Sequence, residues 1–152
     1  FTMPQDKRNI YKIAREARGL TQEAAAEKLG ISDSSIRAYE TGQRVPPNEV
    51  VDLMVLAYDS QLLGIQHLRA SAETARSIVP DVRELRLPEA IMELLDLIYD
   101  FVEEHRDREL LRIGKDGIID QNEREAFDSI VADLGRIVEA ALAVRCAREG
   151  GG

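Results

Sequence analysis

Residues 19–42, GLTQEAAAEKLGISDSSIRAYETG, carry the signals for two short helices joined by a tight turn. The segment begins with a run of strong helix formers. Gly30 follows that run, where glycine takes the left-handed conformation without a Cβ clash. Ser32 is a suitable N-cap for a second helix, 33–40, which Gly42 ends. Because helices joined by so short a turn cross steeply, we expect the start of the second helix to protrude from the surface.

The combined spacing of GLTQ, LG-I and S-x-x-x-I-x-x-Y-E-x-G resembles the Cro/repressor-type (XRE) family of helix-turn-helix regulators over residues 8–58. The resemblance implies a five-helix all-α domain that binds double-stranded DNA and reads the major groove with helix 33–40. It also implies a homodimer on half-sites about one helical turn apart. The expected function is a sequence-specific transcriptional regulator, acting as a repressor.

The resemblance assigns base contacts to the start of the second helix. An aspartate there accepts hydrogen bonds only, which suits the N4 amino group of cytosine, whereas a serine reads either kind of base edge. Ala38 offers a methyl contact to thymine. Gln22 and Arg44 match family positions that contact the DNA backbone, Gln22 with help from backbone N–H groups at a helix start. The complete predicted DNA-contacting set is Thr21, Gln22, Ser32, Asp33, Ser34, Ser35, Arg37 and Arg44.

Purely structural roles are also open for several of these residues. Ser32 and Asp33 serve equally as helix caps, and Gln22 and Arg44 as solvated surface side chains. For Arg15 and Glu40 a structural role is what we expect. Arg15 and Glu40 match family positions that form a partly buried ion pair between the first and third helices.

The acidity of the chain is confined to its second half. Residues 1–70 hold nine Lys and Arg against nine Asp and Glu, whereas residues 71–152 hold eleven against nineteen and account for the net charge of −8. Within the first half, a locally basic first helix is expected, since only Glu16 opposes Lys7, Arg8, Lys12, Arg15 and Arg18. We therefore predict two domains, a DNA-binding domain over 1–70 and an acidic helical region over 71–152.

Helical periodicity continues through that second half. One helix is expected from Ser60 to about Ile78, where Pro80 ends it, and another begins at Pro88. A last helix is expected to open at Asp120. The two long helices predict an antiparallel hairpin whose unpaired apolar stripes serve dimerisation or contact with a protein partner.

No pattern of catalytic or metal-binding residues is evident in the sequence. Lys115–Glu123 resembles half of an EF-hand loop, but Arg112 at its first ligand position cannot bind calcium. His67 and His105 are spaced as interface or core histidines on apolar helical faces. We expect no enzyme activity, no cofactor and no metal. The sequence also lacks a membrane-length apolar run and a signal peptide, so we expect a cytoplasmic location without membrane association.

A second hypothesis for the function stays open. In it, the helix-turn-helix domain is a scaffold, and the chain is a protein-interaction module or an antitoxin-like adaptor that binds a partner through its C-terminal helices. The neutral charge of residues 1–70 favours this alternative, since non-specific attraction to DNA grows with positive charge.

Overall fold

The structure is a computed structural model that describes residues 9–150, and in this range it is all-helical, with no named strand. The chain divides into two compact units, Phe1–Val79 and Pro80–Gly152. The first contains α1 Ile10–Ala17, α2 Gln22–Leu29, α3 Asp33–Thr41, α4 Asn48–Ala57, α5 Gln61–Ser71 and α6 Glu73–Ile78. The second contains α7 Leu87–Glu103, α8 Arg106–Gly114 and α9 Arg124–Cys146.

The caps predicted at Gly30, Ser32 and Gly42 are confirmed, and Thr21 caps the start of α2. The side-chain oxygen of Thr21 accepts the Ala24 N–H, and that of Ser32 accepts the Ser35 N–H. Gly30 and Gly42 follow their helices with φ of +69° and +82°, in the left-handed region that favours glycine. The side-chain bonds satisfy N–H groups that a helix start leaves without a partner, so they define where α2 and α3 begin. The two glycines define where these helices end.

An aliphatic and tyrosine core holds the first unit together. Ala25, Ile36 and Leu63 are completely buried in it. The buried side chains of this core are Tyr11, Ala14, Ala25, Ala26, Leu29, Ile36, Tyr39, Val51, Met54, Tyr58 and Leu63. Because α1, α2, α4 and α5 all contribute to the core, α3 has a fixed base from which its first turn reaches solvent.

The helix expected from Ser60 to Ile78 is broken in two. Ala72 has extended backbone angles (φ −159°, ψ 154°), so α5 ends at Ser71 and α6 begins at Glu73. The short α6 contains no buried residue and no side-chain cap, and it packs on α5. The first unit therefore extends to Val79, nine residues beyond the boundary predicted from the charge distribution.

In the second unit, α7 and α9 pack along each other as an antiparallel hairpin. The hairpin is closed by backbone bonds at one end, where Leu87 N donates to Arg148 O and Arg148 N to Leu85 O, both at 3.0 Å. The link between the two helices is longer than the sequence indicates, since it contains α8. His105 separates α7 from α8 with a left-handed φ of +58° and is exposed, which corrects its assignment to an apolar helical face.

An ion-pair network attaches α8 to α9. The Arg106 guanidinium donates to Asp133 at 2.9 Å, to Ser129 at 2.7 Å and to Glu109 at 3.3 Å. The last helix, expected to open at Asp120, begins at Arg124. Just before it, Asp120 and Glu123 exchange backbone-to-carboxylate bonds of 3.3 and 2.9 Å in a capping-box pattern.

The helices of residues 9–150 include none long and apolar enough to cross a membrane. The His, Cys, Asp and Glu side chains of the same residues also include no group of three that could hold a metal ion.

Candidate nucleic-acid interface

A buried ion pair fixes the orientation of α3 on α1. Arg15 Nε donates to Glu40 Oε2 at 2.7 Å and Nη2 donates to Oε1 at 2.9 Å, so the two side chains meet in a two-pronged contact. Arg15 Nη1 also donates to the Leu20 carbonyl at 2.6 Å. The hydrogen bond to Glu40 raises the pKa of the Arg15 guanidinium further above its ordinary value.

Gln22 is connected to the same pair. Its Nε2 donates to Glu40 Oε1 at 3.2 Å, which ties the first turn of α2 to the end of α3. One amide N–H and the amide oxygen of Gln22 are left for another partner, next to the backbone N–H groups at the start of α2. The side chain is thus held in place while retaining the donors that a phosphate would require.

Three serine hydroxyls cluster at the N-terminus of α3. Ser32 Oγ lies 3.0 Å from Ser34 Oγ and donates to Ser35 Oγ at 3.0 Å. Ser32 also caps the helix, so its hydroxyl is already engaged in structural bonds. Ser32 and Ser34 are exposed, whereas Ser35 is half-buried. The geometry therefore favours Ser34 over Ser32 for contact with a base edge.

Arg44 folds back from the loop that follows α3. Its guanidinium carbon lies 5.3 Å from the centroid of the Tyr39 ring, and Nη2 donates to Ser35 Oγ at 3.2 Å. Since a guanidinium has five donors, several remain available after this bond. The sequence gives no sign of this stacking, because the left-handed turn at Gly42 brings the loop back onto the helix.

Asp33 and Arg37 lie one turn apart on α3 and face the beginning of α2. Together with side chains of α1 and α2 they line a shallow concavity, whose lining residues are Arg15, Thr21, Gln22, Glu23, Asp33 and Arg37. Asp33 is half-buried and Arg37 is exposed. Six of the eight predicted DNA-contacting residues lie at two converging helix N-termini. Thr21 and Gln22 are at the start of α2, and the start of α3 carries Ser32, Asp33, Ser34 and Ser35. Arg37 lies a turn further along α3 and Arg44 in the loop beyond it.

Ala38 is less accessible than expected, with only 8% of the residue exposed. It lies one turn after the exposed Ser34 and outside the core of the first unit, and the loop returns onto it, where Arg44 N donates to the Ala38 carbonyl at 3.2 Å. Contact of its methyl group with thymine stays a prediction. The basic residues Lys7 and Arg8 lie outside the described residues.

His67 of α5 is buried, and it lies far along the chain from the predicted DNA-contacting residues. Its Nδ1 lies 2.7 Å from Tyr11 Oη, and its Nε2 lies 3.0 Å from Asn48 Oδ1. An amide oxygen only accepts, so Nε2 carries the proton and Nδ1 accepts the tyrosine hydroxyl. Burial lowers the pKa of His67, while Asp52 opposes that shift. His67 is thus a core histidine with both ring nitrogens hydrogen-bonded, as its spacing on an apolar helical face predicts.

Comparison with known proteins identifies the first unit. A helix-turn-helix family model, HTH_3, matches residues 12–65, the segment from α1 into α5. No curated protein and no solved structure matches the chain.

Proposed function

Residues 12–65 are a helix-turn-helix domain of the Cro/repressor type, a family of DNA-binding regulators, and we propose that the chain is a sequence-specific repressor that acts as a homodimer. The observation that carries the proposal is the convergence of the α2 and α3 N-termini. Two helix starts present N–H groups and polar side chains on one surface, which is the arrangement that positions a phosphate beside a major-groove helix.

In this proposal the residues divide between two tasks. Asp33, Ser34 and Arg37 read base edges, because they occupy the side of α3 that turns away from the core. Thr21, Gln22 and Arg44 contact phosphates and set the register, while Ser32 and Ser35 hold the first turn of α3 together. Arg15 and Glu40 hold α3 against α1 without touching DNA.

One recognition helix contacts few base pairs, so specific binding at physiological salt requires two copies. A dimer that occupies both half-sites excludes other proteins from the same grooves, and repression follows directly from occupancy. We assign the pairing of copies to the acidic helical region.

Selection of bound sequences from a random duplex library tests the proposal. The expected result is an enriched palindrome with half-sites roughly 10 base pairs apart. Enrichment of no sequence, with weak binding that vanishes as salt rises, would favour the alternative of a protein-interaction module. The exposed apolar side chains of the second unit are the observation that supports that alternative.

Two substitutions separate the assigned tasks. Asp33→Ala is expected to relax base preference at one position of each half-site, with a change of about 1–3 kcal/mol in discrimination. Arg44→Ala is expected to weaken binding to all sequences alike and to reduce the salt dependence by about one counterion per half-site. Lys28→Ala is the matched control, since Lys28 is exposed at the far end of α2 from Thr21. Equal effects of Lys28→Ala and Arg44→Ala would contradict the docking.

A further inference from the structure

The hairpin of the second unit carries an apolar stripe on α7 that α9 does not cover. Its members are spaced at four, three and four residues: Ile91, Leu95, Ile98 and Val102. Three of them, Ile91, Leu95 and Val102, are 40%, 39% and 53% exposed. Met92 and Tyr99 extend the stripe and are more exposed still. Such spacing is that of a helix–helix seam, yet no helix of the second unit occupies it.

A matching stripe runs along α9. It has the same spacing of four, three and four residues: Phe127, Val131, Leu134 and Val138. Val131 and Val138 are 44% and 52% exposed, although Ile130, immediately before Val131, is completely buried. The helix is thus packed along one side and left open along the next.

Both stripes face the same side of the hairpin. In α7 each stripe residue follows an inward-facing residue by one position, as Ile91 follows the buried Ala90. In α9 the same offset holds, as Val131 follows Ile130. Each residue turns a helix by about 100°. Both stripes are therefore rotated by the same angle from the line along which α7 and α9 touch. Because the two helices are antiparallel, equal rotations place both stripes on the same face of the hairpin.

The other side of the hairpin is occupied by α8. Arg106 of α8 reaches Ser129 and Asp133 of α9, which lie on the opposite flank of that helix from Val131 and Val138. The open face is therefore the one that α8 leaves uncovered. Its most exposed apolar side chains are 39% to 65% accessible, which gives an area on the order of several hundred Å², the size at which a patch marks an interaction site.

We propose that this face, formed by the α7 and α9 stripes, binds the same face of a second copy and joins two hairpins into a four-helix arrangement. The proposal rests on the homodimer of the proposed function and identifies the surface that makes it. Two open two-helix layers with the same seam spacing complete each other by a two-fold rotation. The exposed area is of the order that each partner contributes to a stable interface, roughly 800 Å².

Charge gives this interface a distinctive salt dependence. The sequence of α7 contains five acidic and no basic residues, and residues 71–152 together hold nineteen acidic residues against eleven basic ones. No charged residue belongs to either stripe. Two such acidic surfaces repel each other while their apolar faces attract, and salt screens the repulsion without weakening the apolar contact. Self-association is thus strengthened by salt, whereas DNA binding is weakened by it.

Sedimentation equilibrium of the full chain without DNA tests the proposal. We expect a dimer whose dissociation constant falls between about 0.05 M and about 0.5 M salt. In the double variant Val102→Glu/Val138→Glu the dissociation constant is expected to rise by roughly a hundredfold, since each copy then places two carboxylates in the apolar seam. Leu111→Glu is the matched control, because Leu111 is 69% exposed on α8, away from the seam.

Circular dichroism of each variant shows that the hairpin is still folded. For a variant that unfolds, Val102→Ser/Val138→Ser supplies the same comparison without added charge. A wild-type chain that stays monomeric, a double variant that stays dimeric, or a Leu111→Glu variant that dissociates equally would overturn the proposal. The sequence selection described above is independent of these outcomes, so failure of this interface and failure of DNA recognition are separately visible.

Discussion

The Arg15–Glu40 pair shows what a single buried contact contributes to the domain. The side chains are only 8% and 3% exposed, so each charge depends on the other for stabilisation. Gln22 and the Leu20 carbonyl add two further hydrogen bonds to the pair. A buried ion pair adds little to the free energy of unfolding compared with well-packed apolar side chains in its place. Removing one partner lowers that free energy strongly, because the other charge stays buried and unpaired.

We therefore predict strong coupling between the two positions. Arg15→Met or Glu40→Met alone is expected to lower the free energy of unfolding by about 3 kcal/mol, since one charge is left buried without a partner. The double variant is expected to lose less than the sum of the two, by about 2 kcal/mol. Urea unfolding of the four proteins gives the coupling energy, and simple additivity would contradict the pairing.

His67 predicts a pH dependence of stability. Its pKa is lowered on folding, mainly by burial, from an ordinary value of 6.5. The unfolded chain therefore binds more protons between the two pKa values, and the stability contributed by neutral His67 is present above about pH 6.5 and lost as the pH falls below it. His67→Gln keeps one acceptor for Tyr11 and a donor for Asn48 but does not titrate. The advantage of the wild type over this variant in thermal melting temperature should shrink from pH 8 to pH 5, and an unchanged difference would rule out His67 as the titrating group.

At the scale of elements, the boundaries of α2 and α3 could be predicted because their signals are local. Thr21, Gly30, Ser32 and Gly42 each act within four residues of their own position, so spacing in the sequence is enough to place them. The family spacing likewise indicates which residues of α3 lie at its exposed start.

The breaks at Ala72 and His105 could not be predicted in this way. Neither position has the proline or glycine that usually marks a helix end. After His105, Arg106 bonds to Ser129 and Asp133 of the distant α9, whereas no contact among the described residues explains the break at Ala72. The links from Gln22 to Glu40 and from Arg44 to Tyr39 are invisible for a similar reason, since they depend on how helices and loops return onto each other. The low exposure of Ala38 is also not indicated by the spacing, because the loop returns onto that residue, where Arg44 N donates to its carbonyl.

The short helix α6 is predicted to be the least stable element between residues 9 and 150. It has six residues, none buried, and no side-chain cap at Ala72. Local opening is easiest where so few apolar contacts are lost, so its backbone should reach a protease first. We expect the first internal tryptic cleavage after Arg76, separating the two compact units.

Mass spectrometry of early digests identifies the cleavage site, and Arg76→Gln serves as the control that should slow it. The exposed Arg44 makes the comparison informative, because it lies in a loop but is held by Tyr39 and Ser35. A first cut after Arg44 would mean that this loop opens more easily than α6.

At the scale of the whole molecule, the two halves of the chain have opposite relations to DNA. Residues 1–70 are neutral and carry the helix-turn-helix, whereas residues 71–152 carry the entire net charge of −8. A negative charge repels phosphates whatever their sequence, so it opposes loose binding and leaves the choice among bases to α3.

This division predicts the effect of neutralising the acidic row of α7. The variant Asp96→Asn/Asp100→Asn/Glu103→Gln is expected to bind random-sequence duplex and the selected site more tightly by the same factor, a few-fold at about 0.01 M salt, where charges act over about 30 Å. The gain should vanish near 0.15 M salt, where the screening length is about 8 Å. Fluorescence anisotropy at protein concentrations where both proteins have the same oligomeric state measures the two affinities. A gain for one sequence class alone would show that these carboxylates act through specific contacts, since long-range repulsion cannot distinguish one base pair from another.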